Sequence, residues 1–97
     1  MRVKLTAEKL NRAAKVLKCI SHPDRLRLVE CLERDELSVT ALVKKLGLSQ
    51  AVVSKHLSVL REGEIVQSKV LRNYRYYSVS YANVLNVLDC MRRHGGK

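Results

Sequence analysis

Two groups of side chains in the second half of this chain carry usable chemistry. Ser49, Gln50, Ala51, Ser54 and Lys55 set hydroxyls, an amide, a methyl group and an ammonium close together along one stretch. Such short or flexible groups suit base-pair edges. Glutamine pairs bidentately with adenine, serine serves either base type, and alanine can approach a thymine methyl. Farther along, Lys69, Arg72 and Arg75 crowd around Leu71-Arg72-Asn73. Guanidinium and ammonium groups grip phosphates and gain from the counterions they release. From Lys44 to Arg75 the bases are Lys44, Lys45, Lys55, Arg61, Lys69, Arg72 and Arg75, and the acids are Glu62 and Glu64.

Other reactive side chains point nowhere as clearly. Cys19, Cys31 and Cys90 are odd in number and lack Cys-x-x-Cys spacing, so neither a disulfide framework nor a zinc finger is expected. His22 precedes Pro23 at a helix-start signal, where a cap or surface role fits better than ligation. His94 lies near the end of the sequence and is expected in solvent. Asp89, Cys90 and His94 share a stretch, but adjacency does not make a triad. No paired-carboxylate cleft, nucleophile motif or phosphate-cradling glycine loop is present, so no enzyme, catalytic residue or cofactor is expected.

The charge supports a polyanion as partner. Nineteen Lys/Arg against nine Asp/Glu give +10 over 97 residues. On charge alone, RNA or an anionic lipid surface remains open beside DNA. The length allows one small domain, which buries only roughly two-thirds of its extended surface. With no Phe or Trp and four Tyr, Leu and Val must build the core, which suits helices packed on helices. A second copy would supply burial that one lacks, so a homodimer is expected. No apolar run approaches the roughly 18 residues of a membrane span, so no membrane partner is expected. The first residues, MRVKLTAEKLNRAAK, have no apolar core or small-residue cleavage site. A reducing, cytoplasmic setting is the simplest expectation.

The elements that must position these groups follow from periodicity and capping. Leu5, Leu10, Ala13, Ala14, Leu17 and Ile20 keep a helical period, with Thr6 as a cap. Ser21-His22-Pro23-Asp24 starts a second helix, because proline fits the first turn and an acid there complements the dipole. It carries Leu26, Leu28, Val29, Cys31 and Leu32 and ends near Arg34. Ser38 caps a short helix from Val39 to Leu46, and Gly47 suits a left-handed end. Ser49 caps a fourth helix from Gln50 to about Glu62, with Val53, Leu57 and Leu60 inward. Gly63 ends it. Ile65 to Val70 and Tyr74 to Val79 read as a hairpin, since Asn73 tolerates a left-handed turn. Tyr74, Tyr76 and Tyr77 are expected to pack this hairpin on the body rather than stack on bases. A last helix runs from about Ala82 to Arg93 with Val84, Leu85, Leu88 and Met91 on one face, and Gly95 and Gly96 stop it.

Two short helices joined by a glycine-containing turn are the sequence form of a helix-turn-helix. With a basic hairpin beside them, the chain resembles the ArsR/SmtB family of winged-helix repressors. The stretches HPDRLRLVECLERDELSV, LSQAVVSKHLSVLREGEIV and YRYYSV carry that resemblance, in the family's order. It implies a homodimer joined through the first and last helices, and a repressor that leaves DNA on binding an inducer. It implies a recognition helix starting at Gln50, with Ser54, Lys55 and His56 near DNA and Arg72 and Arg75 on the wing. Arg72 stands where the family's wing often has glycine. Where metal-sensing relatives carry cysteines near the third helix, Ser38 and Thr40 stand here, and hydroxyls are poor soft-metal ligands. The last helix offers Asn83, Asp89 and His94, short of a zinc set, so no metal is expected. Some relatives sense sulfur species or oxidants through a cysteine on the second helix and one on the last. Cys31 and Cys90 are the corresponding candidates, with Cys31 about one residue, or roughly 100 degrees of helix, beyond the usual position and Cys90 early in its helix. Core packing of Cys31 and a soft-metal site including Cys19 are the alternatives.

The expectation is therefore a single domain over 1–97, mainly α with a β-hairpin wing, in the order α-α-α-α-β-β-α. Residues 1–20 and 82–93 are its dimerisation helices, 38–62 its helix-turn-helix and 65–79 its wing. The expected function is sequence-specific binding of double-stranded DNA as an inducer-released repressor. The expected contacts are Ser49, Gln50, Ala51, Ser54, Lys55, His56, Arg61, Lys69, Arg72 and Arg75. The inducer is left open among sulfur or redox sensing, soft metal and none. An architectural or RNA-binding winged helix without operator preference is the alternative.

Overall fold

The computed structural model describes residues 4–80 and 83–94. The order is α1 (Ala7–Ile20), α2 (Pro23–Arg34), β1 (Leu37–Ser38), α3 (Val39–Leu46), α4 (Gln50–Glu62), β2 (Val66–Leu71), β3 (Tyr74–Val79) and α5 (Asn83–His94). The expected start at Ala82 and stop at Gly95-Gly96 lie outside the described residues.

The helix starts are set by side chains that satisfy orphan backbone N–H groups. Thr6, Ser38 and Ser49 accept from the N–H groups of Lys9, Ala41 and Val52. His22 does the same for α2: its Nδ1 accepts from the Asp24 N–H at 3.1 Å, with Pro23 in the first turn.

The two loop glycines serve different ends. Gly47 adopts φ 69°, and its N–H closes α3 on the Val43 carbonyl. Gly63 has an ordinary φ of −79°. Its reason is space, because a Cβ there would meet the Cys19 Sγ at 2.6 Å. The left-handed residue after α4 is Glu64, at φ 62°. The N–H groups of Glu64 and Ile65 donate to the carbonyls of Arg61 and Leu60. That is a Schellman ending with glutamate at the usual glycine position, and the buried pair Leu60 and Ile65 supplies its apolar contact.

The core gathers Leu28, Val29 and Leu32 of α2, Leu42 and Leu46 of α3, and Val53, Leu57 and Leu60 of α4. Ile65, Val66 and Tyr77 extend it under the wing, and Val84 and Leu88 of α5 cover one end. Two arginines on α2 tie this bundle together at helix ends. Arg27 Nη2 donates to the Leu46 carbonyl at 3.0 Å, and Arg25 Nη1 donates to the Cys19 carbonyl at 2.9 Å. Each satisfies a carbonyl that a helix terminus leaves without an intrahelical partner. Arg92 holds α5 to α2 by bridging Glu30 and Glu33, and it also bonds Asp89 on its own helix. Its hydrogen bonds hold the Glu33 carboxyl below the usual carboxylate range.

The sheet has three strands, in the order β1-β3-β2, where the sequence reading expected two. Leu37 pairs with Tyr77 and Ser38 with Tyr76. A two-residue strand has no period to detect. The hairpin turns on Arg72 and Asn73, at φ 52° and 70°, the left-handed pair that a two-residue turn needs to match strand twist. Tyr77 is buried, Tyr76 half-buried and Tyr74 exposed, so the packing expectation holds for the inner tyrosines and not for the one at the tip.

Candidate nucleic-acid interface

Helix α4 divides into two stripes. Val53, His56, Leu57 and Leu60 recur at i, i+3, i+4 and i+7 and are buried. Ala51, Ser54, Lys55 and Ser58 keep the same spacing on the exposed side, with Gln50 exposed in the first turn. The apolar stripe is held by α2 and α3, which leaves the polar stripe free to enter a groove. Ser58 is a member the sequence reading missed; counting one turn on from Ser54 and Lys55 would have found it. Ser49 is exposed, but its Oγ is engaged as the cap of α4.

His56 is corrected. It was expected near DNA, yet it is 8% exposed and belongs to the inner stripe. Its Nδ1 accepts from Arg25 Nε at 3.3 Å, and its ring lies 4.7 Å from that of His22. Burial first, then the charges of His22 and Arg25, pull its pKa below the ordinary histidine value, with Asp24 opposing. Its place three residues after Val53 was the signal that it faces inward.

The ligand atoms of His22, Asp24 and His56 lie within 4.8 Å of one another, the nearest approach to a metal-binding set among the described residues. Both Nδ1 atoms already accept hydrogen bonds, from the Asp24 N–H and from Arg25, and a guanidinium stands beside them. The trio therefore reads as a hydrogen-bonded joint between α2 and α4.

The wing carries the second set of expected contacts. Arg72 is exposed at the tip. Arg75 Nη1 donates to Ser68 Oγ at 2.9 Å, which holds the guanidinium on the exposed side of the hairpin. Lys69 is also exposed, but its Nζ lies 3.1 Å from Glu36 Oε1, so it is partly neutralised at the wing base. Arg61 sits apart from the other contacts. With Arg12, Lys15 and Gln67 it lines an open groove of about 930 Å³ between α1 and the wing.

Of the two candidate sensor thiols, Cys31 is half-buried against the core and Cys90 is exposed on α5. Cys19 is half-buried, with its sulfur against Gly63. No helix among the described residues is long and apolar enough to cross a membrane.

Known proteins share this arrangement. Residues 22–68 match the family described as "Bacterial regulatory protein, arsR family", a span that includes α2, the helix-turn-helix and the start of the wing. The chain is 38% identical over 79 residues to nodulation protein NolR of Rhizobium meliloti, covering 81% of this chain and 65% of that protein. It is also 38% identical over 84 residues to the biofilm growth-associated repressor of Xylella fastidiosa, covering 87% of this chain and 74% of the relative. The structure of HlyU from Vibrio cholerae superposes with a TM-score of 0.84 at 27% identity, over 94% of this chain and all of that one. The family match falls on the residues that build the braced helix pair and the start of its wing, and the chain belongs to the ArsR family of winged helix-turn-helix transcriptional regulators.

Proposed function

We propose that the chain acts as a homodimeric, non-enzymatic repressor on an inverted repeat in double-stranded DNA. One observation carries the reading: the exposed stripe of α4 is a row of short polar side chains on a helix whose other face is locked into the core. Gln50, Ala51, Ser54, Lys55 and Ser58 face base edges, and the N-terminus at Ser49 faces a phosphate. Arg72 and Arg75 follow the backbone, with Lys69 and Arg61 as outer phosphate contacts. The repressor sense follows the name of the Xylella relative.

The dimer forms through α1 and α5. Leu10 and Leu17 of α1 stand 51% and 53% exposed, and Met91 of α5 is 53% exposed. Leucines at that spacing on one helix make a seam for a second copy. With DNA as partner, the cytoplasm is the site of action. We assign Cys31 to packing against the core.

Selection from random duplex DNA tests this. The expected product is an inverted repeat with half-sites one helical turn apart, about 10 base pairs between centres. If about eight phosphates are neutralised, log K falls against log salt with a slope of about −7. Gln50→Ala relaxes one position in each half-site, whereas Arg72→Ala weakens all sequences alike. A pool that yields no motif, or a nearly flat salt dependence, overturns the operator reading and favours the architectural or RNA-binding one.

A further inference from the structure

Arg25 occupies an unusual place. It lies on α2, yet its guanidinium bonds two other helices. Nη1 donates to the last-turn carbonyl of Cys19 on α1, and Nε donates to Nδ1 of His56 on the buried side of the recognition helix. The ring of His22 packs against His56 while its own Nδ1 caps α2. A side chain that joins the end of α1 to the middle of α4 fixes how the recognition helix sits relative to the flank proposed to bind the second copy.

We propose that Arg25 and His56 are positioning residues for operator recognition, forming a joint that holds only while His56 is neutral. The inference rests on the DNA-binding reading above. Its chemistry is that of the imidazole: Nδ1 accepts from Arg25 only with its lone pair free. Protonation turns Nδ1 into a donor, breaks that bond and sets a cation against Arg25. Every charged group facing the ring bears on the outcome. Arg25 and His22 from α2 and Lys55 from α4 oppose protonation, and Asp24 from α2 favours it. The first three and burial prevail, so the folded protein prefers neutral His56.

The sign follows. The unfolded chain binds this proton more readily than the native one, so stability rises with pH. The contribution is complete above the ordinary histidine value of about 6.5 and is lost as pH falls below it toward the lower folded value. Operator recognition follows the same course. Non-specific DNA binding runs the other way, because a protonated histidine adds positive charge.

The experiment compares operator and random-duplex affinity at pH 7.5 and pH 5.5, using the motif selected by the wild type at the higher pH. The wild type is expected to lose about fivefold in the operator-to-random ratio at the lower pH, the scale of one lost intramolecular hydrogen bond. His56→Asn keeps an acceptor near the Nδ1 position that does not titrate, and its ratio should change less than twofold. Arg25→Met should show a low ratio at both pH values with random-duplex affinity nearly unchanged. A wild-type ratio independent of pH, or a His56→Asn variant as pH-sensitive as the wild type, overturns the joint. If selection yields no motif, the operator reading fails separately. The joint is then read by nitrogen NMR of His56 and by amide exchange along α4, both in the wild type. Exchange at Val53–Leu60 that does not accelerate as His56 titrates overturns it, and this readout also serves if either variant fails to fold.

Discussion

The middle of the molecule and its flank are built to different standards. From Leu28 to Val66, ten apolar side chains are buried, and every helix in the span contributes to one core. Along α1 the only buried residue is Ile20, at its last position, while Leu10 and Leu17 remain half-exposed. Helix α5 is intermediate: Val84 and Leu88 reach the core, and Met91 does not. The recognition helix is thus fixed by its own subunit, whereas the flank has apolar surface still to cover.

Mutations that sort into the two regions sharpen this contrast. Leu42→Ala, in a fully buried side chain of the bracing helix, should cost about 2–5 kcal/mol in urea unfolding at any protein concentration. Leu17→Ala should leave the unfolding of the isolated subunit nearly unchanged and weaken self-association by about 2 kcal/mol per protomer, read by sedimentation. If Leu17→Ala also destabilises the monomer by several kcal/mol, the flank is core and the comparison collapses. At the wing, Arg72→Gly relieves a left-handed side chain and should stabilise the fold by about 1 kcal/mol. It should also lower the salt slope for DNA by about 1 for each wing that touches a phosphate, so stability and binding move in opposite directions. The smallest effect is expected for Glu64→Gly, which places glycine at the left-handed end of α4 and should gain about 0.5–1 kcal/mol without altering DNA affinity.

What could be read in the sequence was local. Thr6, Ser38, Ser49 and Gly47 mark helix ends with their own side chains or torsions, and the structure places each of them there. What was missed depends on distant partners. Strand β1 exists because Leu37 and Ser38 meet Tyr77 and Tyr76, nearly forty residues on. Gly63 was legible as a helix end, but its reason, the sulfur of Cys19, lies on another helix. His56 was misplaced because the resemblance carried it to the DNA side together with Ser54 and Lys55. The helical period said otherwise, and Arg25 supplies the partner that lets a histidine be buried. Arg25 itself carries no sequence signature, since an arginine on an amphipathic helix ordinarily faces water.

The seat of Cys19 against Gly63 places a thiol at the contact between the end of α1 and the end of α4. A thiol reagent can attach to Cys90 at once, because that sulfur is exposed. Cys19 is half-buried with its sulfur against Gly63, so the same reagent should attach more slowly there. DNA that holds the end of α1 against the end of α4 should slow labelling of that sulfur further.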